Sequence, residues 1–347
     1  MHGRHGDELG QIEMAAWAEV KTRYKYMRVK RAVLGEVLLE KIAEEGSGIQ
    51  VRWGKRVIGV QEDENGTMVM FEDGTNDIAD LVLGCDGIHS AVRTLFVDPE
   101  AVPQYSGVST ISAFLSVKDL PDTSTTVTRT HATFTRDGLF GIGPCTANGD
   151  TLFWFFSHEV AVPEKTYKTD REGWEECRRT EVEGFKAKLL SILEDVRGEW
   201  GALLKSIVRQ TETVGFYPVF RLPLGRKWSR GHCLLLGDAA HAMQPHSGQG
   251  VSMALEDVFL LSRLLESSSA TLPDMLGKFD EVRRPRVEKF YKFAAKNGDK
   301  RRKSSPWVLW FREFFLWVAL WVVTRLNVHR RGWWQGDLAY DIDEVEI

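Results

Sequence analysis

Apolar and polar positions alternate with two different periods along this chain. Between residues 17 and 45, Val33, Leu34, Val37, Leu38 and Ile42 recur at helical spacing and predict a helix-forming region. Shorter extended pieces follow at residues 51–53 and 57–60, and Asn65-Gly66 is a hairpin turn signal. Residues 68–72 alternate and lead to a second turn at Asp73-Gly74, and residues 79–85 read as one buried strand ending at Asp86-Gly87. From 104 to 220 the texture is β-branched and aromatic, at residues 108–115, 125–134, 139–142 and 152–156. It predicts an antiparallel sheet, interrupted by a polar helical stretch near 171–205. After Pro223 a buried strand at residues 233–236 precedes a helix at 251–265, with Val251, Ala254, Val258, Leu261 and Leu265 on one stripe. A sheet-rich insert between two halves of an α/β domain accounts for this order.

The C-terminal part has a different pattern. The longest apolar run, residues 314–323, falls short of the ~20 residues a bilayer-spanning helix needs. Trp307, Trp310, Phe314, Trp317 and Trp321 recur at steps of three and four, which puts five aromatics on one helical face. A basic stretch from Arg283 to Lys303 precedes them. Either the stripe packs on the body of the protein with the cations solvated, or residues 307–323 lie on an anionic membrane surface.

Composition narrows the class. With 347 residues, 43% hydrophobic and 27% charged, the chain has material for about two domains and is no disordered tail or disulfide miniprotein. The balance of 45 Lys+Arg against 49 Asp+Glu gives no reason to expect nucleic acid as a partner. Cys85, Cys145, Cys177 and Cys233 are scattered, which argues against a zinc site or disulfide framework and for a reducing compartment. The polar N-terminus has no signal-peptide pattern, so the expectation is cytoplasmic, with membrane association through the aromatic stripe as the variant.

Two segments carry chemistry. GCDGIHSAVR, residues 84–93, is a strand end followed by Ser90 and Arg93; LLLGDAAHAMQPHSGQGV, residues 234–251, is a strand, a loop and the start of a helix. The second delivers Asp238 to the carboxyl end of a strand, where ligands sit in open α/β sheets. Gly248 and Gly250 let the backbone approach a bound group, and the ensuing helix N-terminus favours negative charge.

These segments resemble the D-G-x-x-S-x-V-R and G-D-A-A-H…P…G-x-G motifs of class A flavoprotein monooxygenases, the family of para-hydroxybenzoate and salicylate hydroxylases. The likeness is greatest to members from fungal secondary metabolism. Arg31-Ala-Val-Leu34 with Leu38 is similar to the family's R-x-x-L-x-x-x-L helix, and Arg283-Arg-Pro-Arg-Val287 to its R-x-P-R-V segment. The resemblance implies FAD as cofactor, NAD(P)H and O2 as co-substrates, and oxygen transfer from a C4a-hydroperoxyflavin to an aromatic, polyketide or terpenoid small molecule. It implies that Arg31 contacts the FAD, that Asp238 binds a ribityl hydroxyl, and that backbone at Gly248, Gly250 and Val251 faces the pyrimidine ring. Pro245 would lie beside the isoalloxazine, and Asp86 and Arg93 would serve the pyrophosphate and nicotinamide region. Catalytic side chains stay unassigned, His241 and His246 are read as packing residues, and no metal is expected.

The family opens on a strand, a G-x-G-x-x-G turn and a helix, whereas thirty residues precede Arg31 here and no such turn occurs. The expected fold is therefore α/β: a Rossmann-like three-layer FAD-binding domain, N-terminally incomplete, with an inserted antiparallel-sheet substrate domain and a C-terminal helical appendage. Its expected boundaries are 1–103 and 223–303 for the cofactor domain, 104–222 for the insert and 304–347 for the Trp-rich helix and acidic tail. Two other functions stay open: an inactive homologue acting at a membrane surface, and a flavin-dependent dehydrogenase or reductase of the same fold.

Overall fold

A computed structural model describes the chain except residues 14, 25–26, 46–47, 64–65, 121–126, 164–169, 267–270, 329–331 and 333–334. The expected N-terminal helical region is two helices, α1 (Ala16–Thr22) and α2 (Arg31–Glu45). Arg23 ends α1 in a left-handed conformation, φ 64°, which stops propagation. No residue of α2 is buried, so its apolar stripe of Val33, Val37 and Leu38 stays exposed.

Strands β1 (Val57–Asp63), β2 (Gly66–Phe71) and β3 (Asn76–Ala79) form an antiparallel meander, with Asp63 opposite Gly66. The expected Asn65-Gly66 turn falls partly outside the described residues. The Asp73-Gly74 turn is closed by the Asp73 carboxylate, which accepts from the Thr75 amide at 3.1 Å and hydroxyl at 2.7 Å. Residues 51–53 form no strand. The run at 79–85 is also divided: Ala79 ends β3, and β4 (Val82–Gly84) belongs to another sheet, with Leu83 exposed. Apolar continuity alone could not show that the chain changes sheets at Asp80.

The expected antiparallel sheet is present. It contains β5 (Gln104–Ser116), β6 (His131–Phe134), β7 (Gly138–Pro144), β8 (Thr151–Glu159) and, after the helices α3 (Asp170–Glu183), α4 (Phe185–Ile192) and α5 (Gly198–Gln210), β9 (Gly215–Arg221). Strand order is β6-β7-β8-β5-β9, and β5 pairs with β8 from Val108↔Glu159 to Ser116↔Thr151. Ile111, Phe140, Trp154 and Phe156 form a core with Leu189, Leu193, Leu203 and Ile207 of the helical layer. Trp154 and Trp200 bury their rings while their indole N–H groups donate to Thr211 Oγ1 at 3.0 Å and Thr133 Oγ1 at 2.9 Å, so the core holds no stranded indole donor at either ring.

A three-stranded sheet then joins β10 (Ser229–Arg230), β11 (Cys233–Leu235) and β4. It leads through α6 (Asp238–His241) to α7 (Gly250–Glu266), α8 (Leu272–Asp299) and α9 (Pro306–Arg325). Two helix faces differ from expectation. Met253, Asp257, Leu260, Leu261 and Leu264 are the buried positions of α7, while Val251, Val258 and Leu265 are exposed. On α9 the five-aromatic stripe is exposed, and Leu309 and Leu320 are buried.

Two compact units divide the chain: Met1–Ile49, Gly107–Pro218 and Lys300–Tyr340 in the first, Gln50–Ser106, Val219–Asp299 and Asp341–Ile347 in the second. The first unit contains the antiparallel sheet and its helices together with residues 1–49 and 300–340.

Candidate cofactor site

Strands β4 and β11 are parallel neighbours, with Gly84 opposite Leu235, and the Leu236 amide donates to the Gly84 carbonyl at 3.0 Å. Two motifs far apart in sequence therefore leave the sheet side by side at its carboxyl end, the position that open α/β sheets use for ligands.

The first motif is held by its own side chains. The Asp86 carboxylate accepts from the amides of Ala91 at 2.6 Å and Val92 at 3.3 Å, closing the turn after β4. The Ser90 hydroxyl accepts from the Arg93 amide at 2.9 Å. Arg93 itself is buried: Nε donates to the Ala101 carbonyl at 3.1 Å, Nη1 to the Ala239 carbonyl at 2.8 Å, and Nη2 to the Ile88 carbonyl. Its guanidinium thus ties the DGIHSAVR loop to the GDAAH loop, and burial lowers its pKa against the opposing pull of Asp86 and Asp98. The side chain expected to serve the pyrophosphate and nicotinamide region is placed as an internal clamp between the two loops.

The second motif is held from beneath by a buried charge cluster. Gly237 adopts φ 56° and ψ −135°, and a Cβ there would lie 3.1 Å from that of Ala254. Its amide donates to Asp257 Oδ2 at 2.9 Å, and the same oxygen is 2.7 Å from His241 Nε2. The other oxygen of Asp257 receives Arg283 Nε at 2.8 Å. Arg283 also donates to Glu256 at 2.6 Å and to the Met253 carbonyl at 3.1 Å, and Arg286 grips Glu256 with two 2.7 Å bonds. Burial alone would raise the Asp257 pKa, but the His241 bond, the His241 and Arg283 charges and the Gly237 amide outweigh it. The carboxyl stays below its ordinary range. Arg283 is fully buried, so the basic stretch from 283 is not a set of solvated cations. Arg284 lies over the Trp228 ring at 4.3 Å.

Above this cluster the loop presents an exposed edge. Asp238, Pro245, Gly248, Gly250 and Val251 are exposed, while Ala239, Ala240, His241 and Gln249 between them are buried. Asp238 has no hydrogen-bond or ion-pair partner among the described residues. Pro245 opens a 3-10 turn closed by Gly248 in the left-handed region, φ 66°. Asp86, Arg93, Asp238, Pro245, Gly248, Gly250 and Val251 all belong to the second unit; Arg31, exposed at the start of α2, belongs to the first.

The sequence matches the FAD-binding domain family over residues 4–196 and 221–294, more than half of the chain. The chain belongs to the FAD-binding domain family. Within it, the chain is a class A FAD-dependent monooxygenase. It is 27% identical over 311 residues to 6-hydroxynicotinate 3-monooxygenase of Pseudomonas fluorescens, covering 88% of this chain and 74% of that enzyme. It is 31% identical over 289 residues to 2-heptyl-3-hydroxy-4(1H)-quinolone synthase of Pseudomonas aeruginosa, covering 82% of this chain and 68% of that enzyme. Among solved structures, Klebsiella pneumoniae HpxO complexed with FAD and uric acid shares the fold. Its TM-score is 0.71 at 23% identity, over 91% of this chain and 74% of that one.

The exposed edge fits the flavin end of FAD. Asp238 offers an uncommitted carboxylate for a hydroxyl donor. At Gly250 a Cβ would meet nothing within 4 Å, so the backbone there is open to a flat ring. The first-turn amides of α7 have no intrahelical acceptor and point their dipole at whatever occupies that edge. Sequence reasoning missed Asp257 and Glu256, which position this edge without forming it. Their signal was present: acidic residues about two helical turns inside α7, opposite a basic R-x-P-R-V segment on α8.

Proposed function

We propose that this FAD-dependent monooxygenase inserts one oxygen atom into an electron-rich, hydroxylated aromatic small molecule, using NAD(P)H and O2. The observation that carries the reading is the Asp238 to Val251 edge, exposed at the carboxyl end of parallel strands and locked from below by Asp257 and Arg283. FAD supplies the transfer of two electrons from the nicotinamide to O2. The protein's own part is to orient and to stabilise: Asp238 holds a ribityl hydroxyl, and the α7 N-terminus favours negative charge on the reduced ring. The substrate class is supported by the hydroxynicotinate named for one relative. A product of secondary metabolism, polyketide and terpenoid skeletons included, is the reading we favour for its source. The four free cysteines support a reducing, cytoplasmic location.

The test is turnover under labelled O2 with a panel of hydroxylated aromatics. NAD(P)H oxidised, O2 consumed and product formed should agree one to one, with one labelled oxygen in the product. Substrate turnover without O2 uptake would replace this reading with the dehydrogenase one.

A further inference from the structure

The helix α9 has 20 residues and is apolar and long enough to cross a membrane. It is nevertheless attached to its own unit along one stripe. Leu309 is buried with Phe134 and Leu139, and Leu316 packs against the same cluster. Leu320 is buried and lies against Gly10, where a Cβ would come within 3.1 Å. Between them Glu313, the helix's sole acidic residue, accepts from the Arg4 amide at 2.6 Å and stands 3.8 Å from Arg4 Nε. Arg312 turns back to the Lys300 carbonyl at 2.9 Å.

Both interior charges are thus tied to the protein, and every exposed residue from 307 to 322 is apolar. At 100° per residue these side chains sweep about 200° of arc, wider than a single partner helix covers. Cations flank the arc. Lys303 stays 73% exposed although 3.9 Å from Asp137, Arg302 pairs with Glu159 and remains 39% exposed, and Arg325 is exposed at the far end.

We propose that α9 docks in the plane of an anionic lipid surface, its aromatics at the headgroup boundary and its basic ends on lipid phosphates. Aromatics with a polar N–H and cations at both ends suit that boundary. A spanning orientation is disfavoured because it would tear the packed stripe from its unit and carry Arg312 and Glu313 into hydrocarbon. The inference is independent of the flavin chemistry.

The full chain should co-sediment with phosphatidylcholine vesicles containing phosphatidylserine, less with phosphatidylcholine alone, and should be released by alkaline carbonate. Replacing Trp307, Phe315 and Trp321 together by Ser should lower partitioning about tenfold or more at unchanged melting temperature. Lys303→Glu with Arg325→Glu should abolish only the phosphatidylserine increment. Four results would each overturn the proposal: no sedimentation, resistance to carbonate, partitioning indifferent to both variants, or a dimer in solution that the triple variant converts to monomer.

Discussion

Asp257 and Arg283 show how a ligand-binding edge is fixed by residues that no ligand touches. Each is buried, and the ion pair between them is completed by His241, Glu256 and the Gly237 amide. Removing one member of such a cluster leaves the others uncompensated in a medium that solvates them poorly. Arg283→Met is therefore expected to cost about 3–5 kcal/mol in chemical denaturation. The pH dependence follows from the depressed Asp257 pKa. The unfolded carboxyl, near its usual value of about 3.9, takes up a proton more readily than the folded one. The contribution of Asp257 is whole above that value and is lost as pH falls through the lower folded one. The stability difference between the native protein and Asp257→Asn should shrink as pH falls below about 4. At this scale the GDAAH string was readable because glycine and aspartate at a strand end have few other uses. Arg283 was legible only as part of the basic R-x-P-R-V segment, and its pairing with Asp257 shows only once α7 and α8 are packed.

Elements were legible where one face is buried and the other is not. Strands β5 and β8 alternate over much of their length because one face meets the helical layer of Leu189, Leu203 and Ile207, whereas residues 138–143 of β7 are buried throughout. The helix α7 misled because its apolar residues are more numerous than its buried ones: Val251, Val258 and Phe259 are all exposed. Its buried face contains a carboxylate instead, and hydropathy gives that position no weight. The junction of β11 and α6 makes a sharper prediction. Gly237→Ala combines a strained φ with a 3.1 Å approach to Ala254. It should cost about 2–3 kcal/mol in denaturant titration. Gly87→Ala, at φ 79° with open space around it, should cost about 1 kcal/mol through backbone strain alone.

For the whole molecule, the order of motifs carried the family before any coordinate was known, whereas the grouping of residues 1–49 with the sheet unit did not show in sequence. The helix α2 has an apolar stripe that looks like a buried face, and only its exposure in the structure shows that periodicity was no guide to the helix's surroundings. The proposed function rests on an edge that combines an uncommitted carboxylate, open glycine backbone and a helix N-terminus. Equilibrium titration of the purified chain with FAD, followed by flavin fluorescence, tests that claim most directly. A charge-assisted hydrogen bond to the flavin chain contributes about 1.5–3 kcal/mol. The native protein should take up FAD, and Asp238→Ala should weaken binding by about tenfold or more at an unchanged melting temperature. No uptake by the native chain, or equal affinity in the variant, would contradict the account.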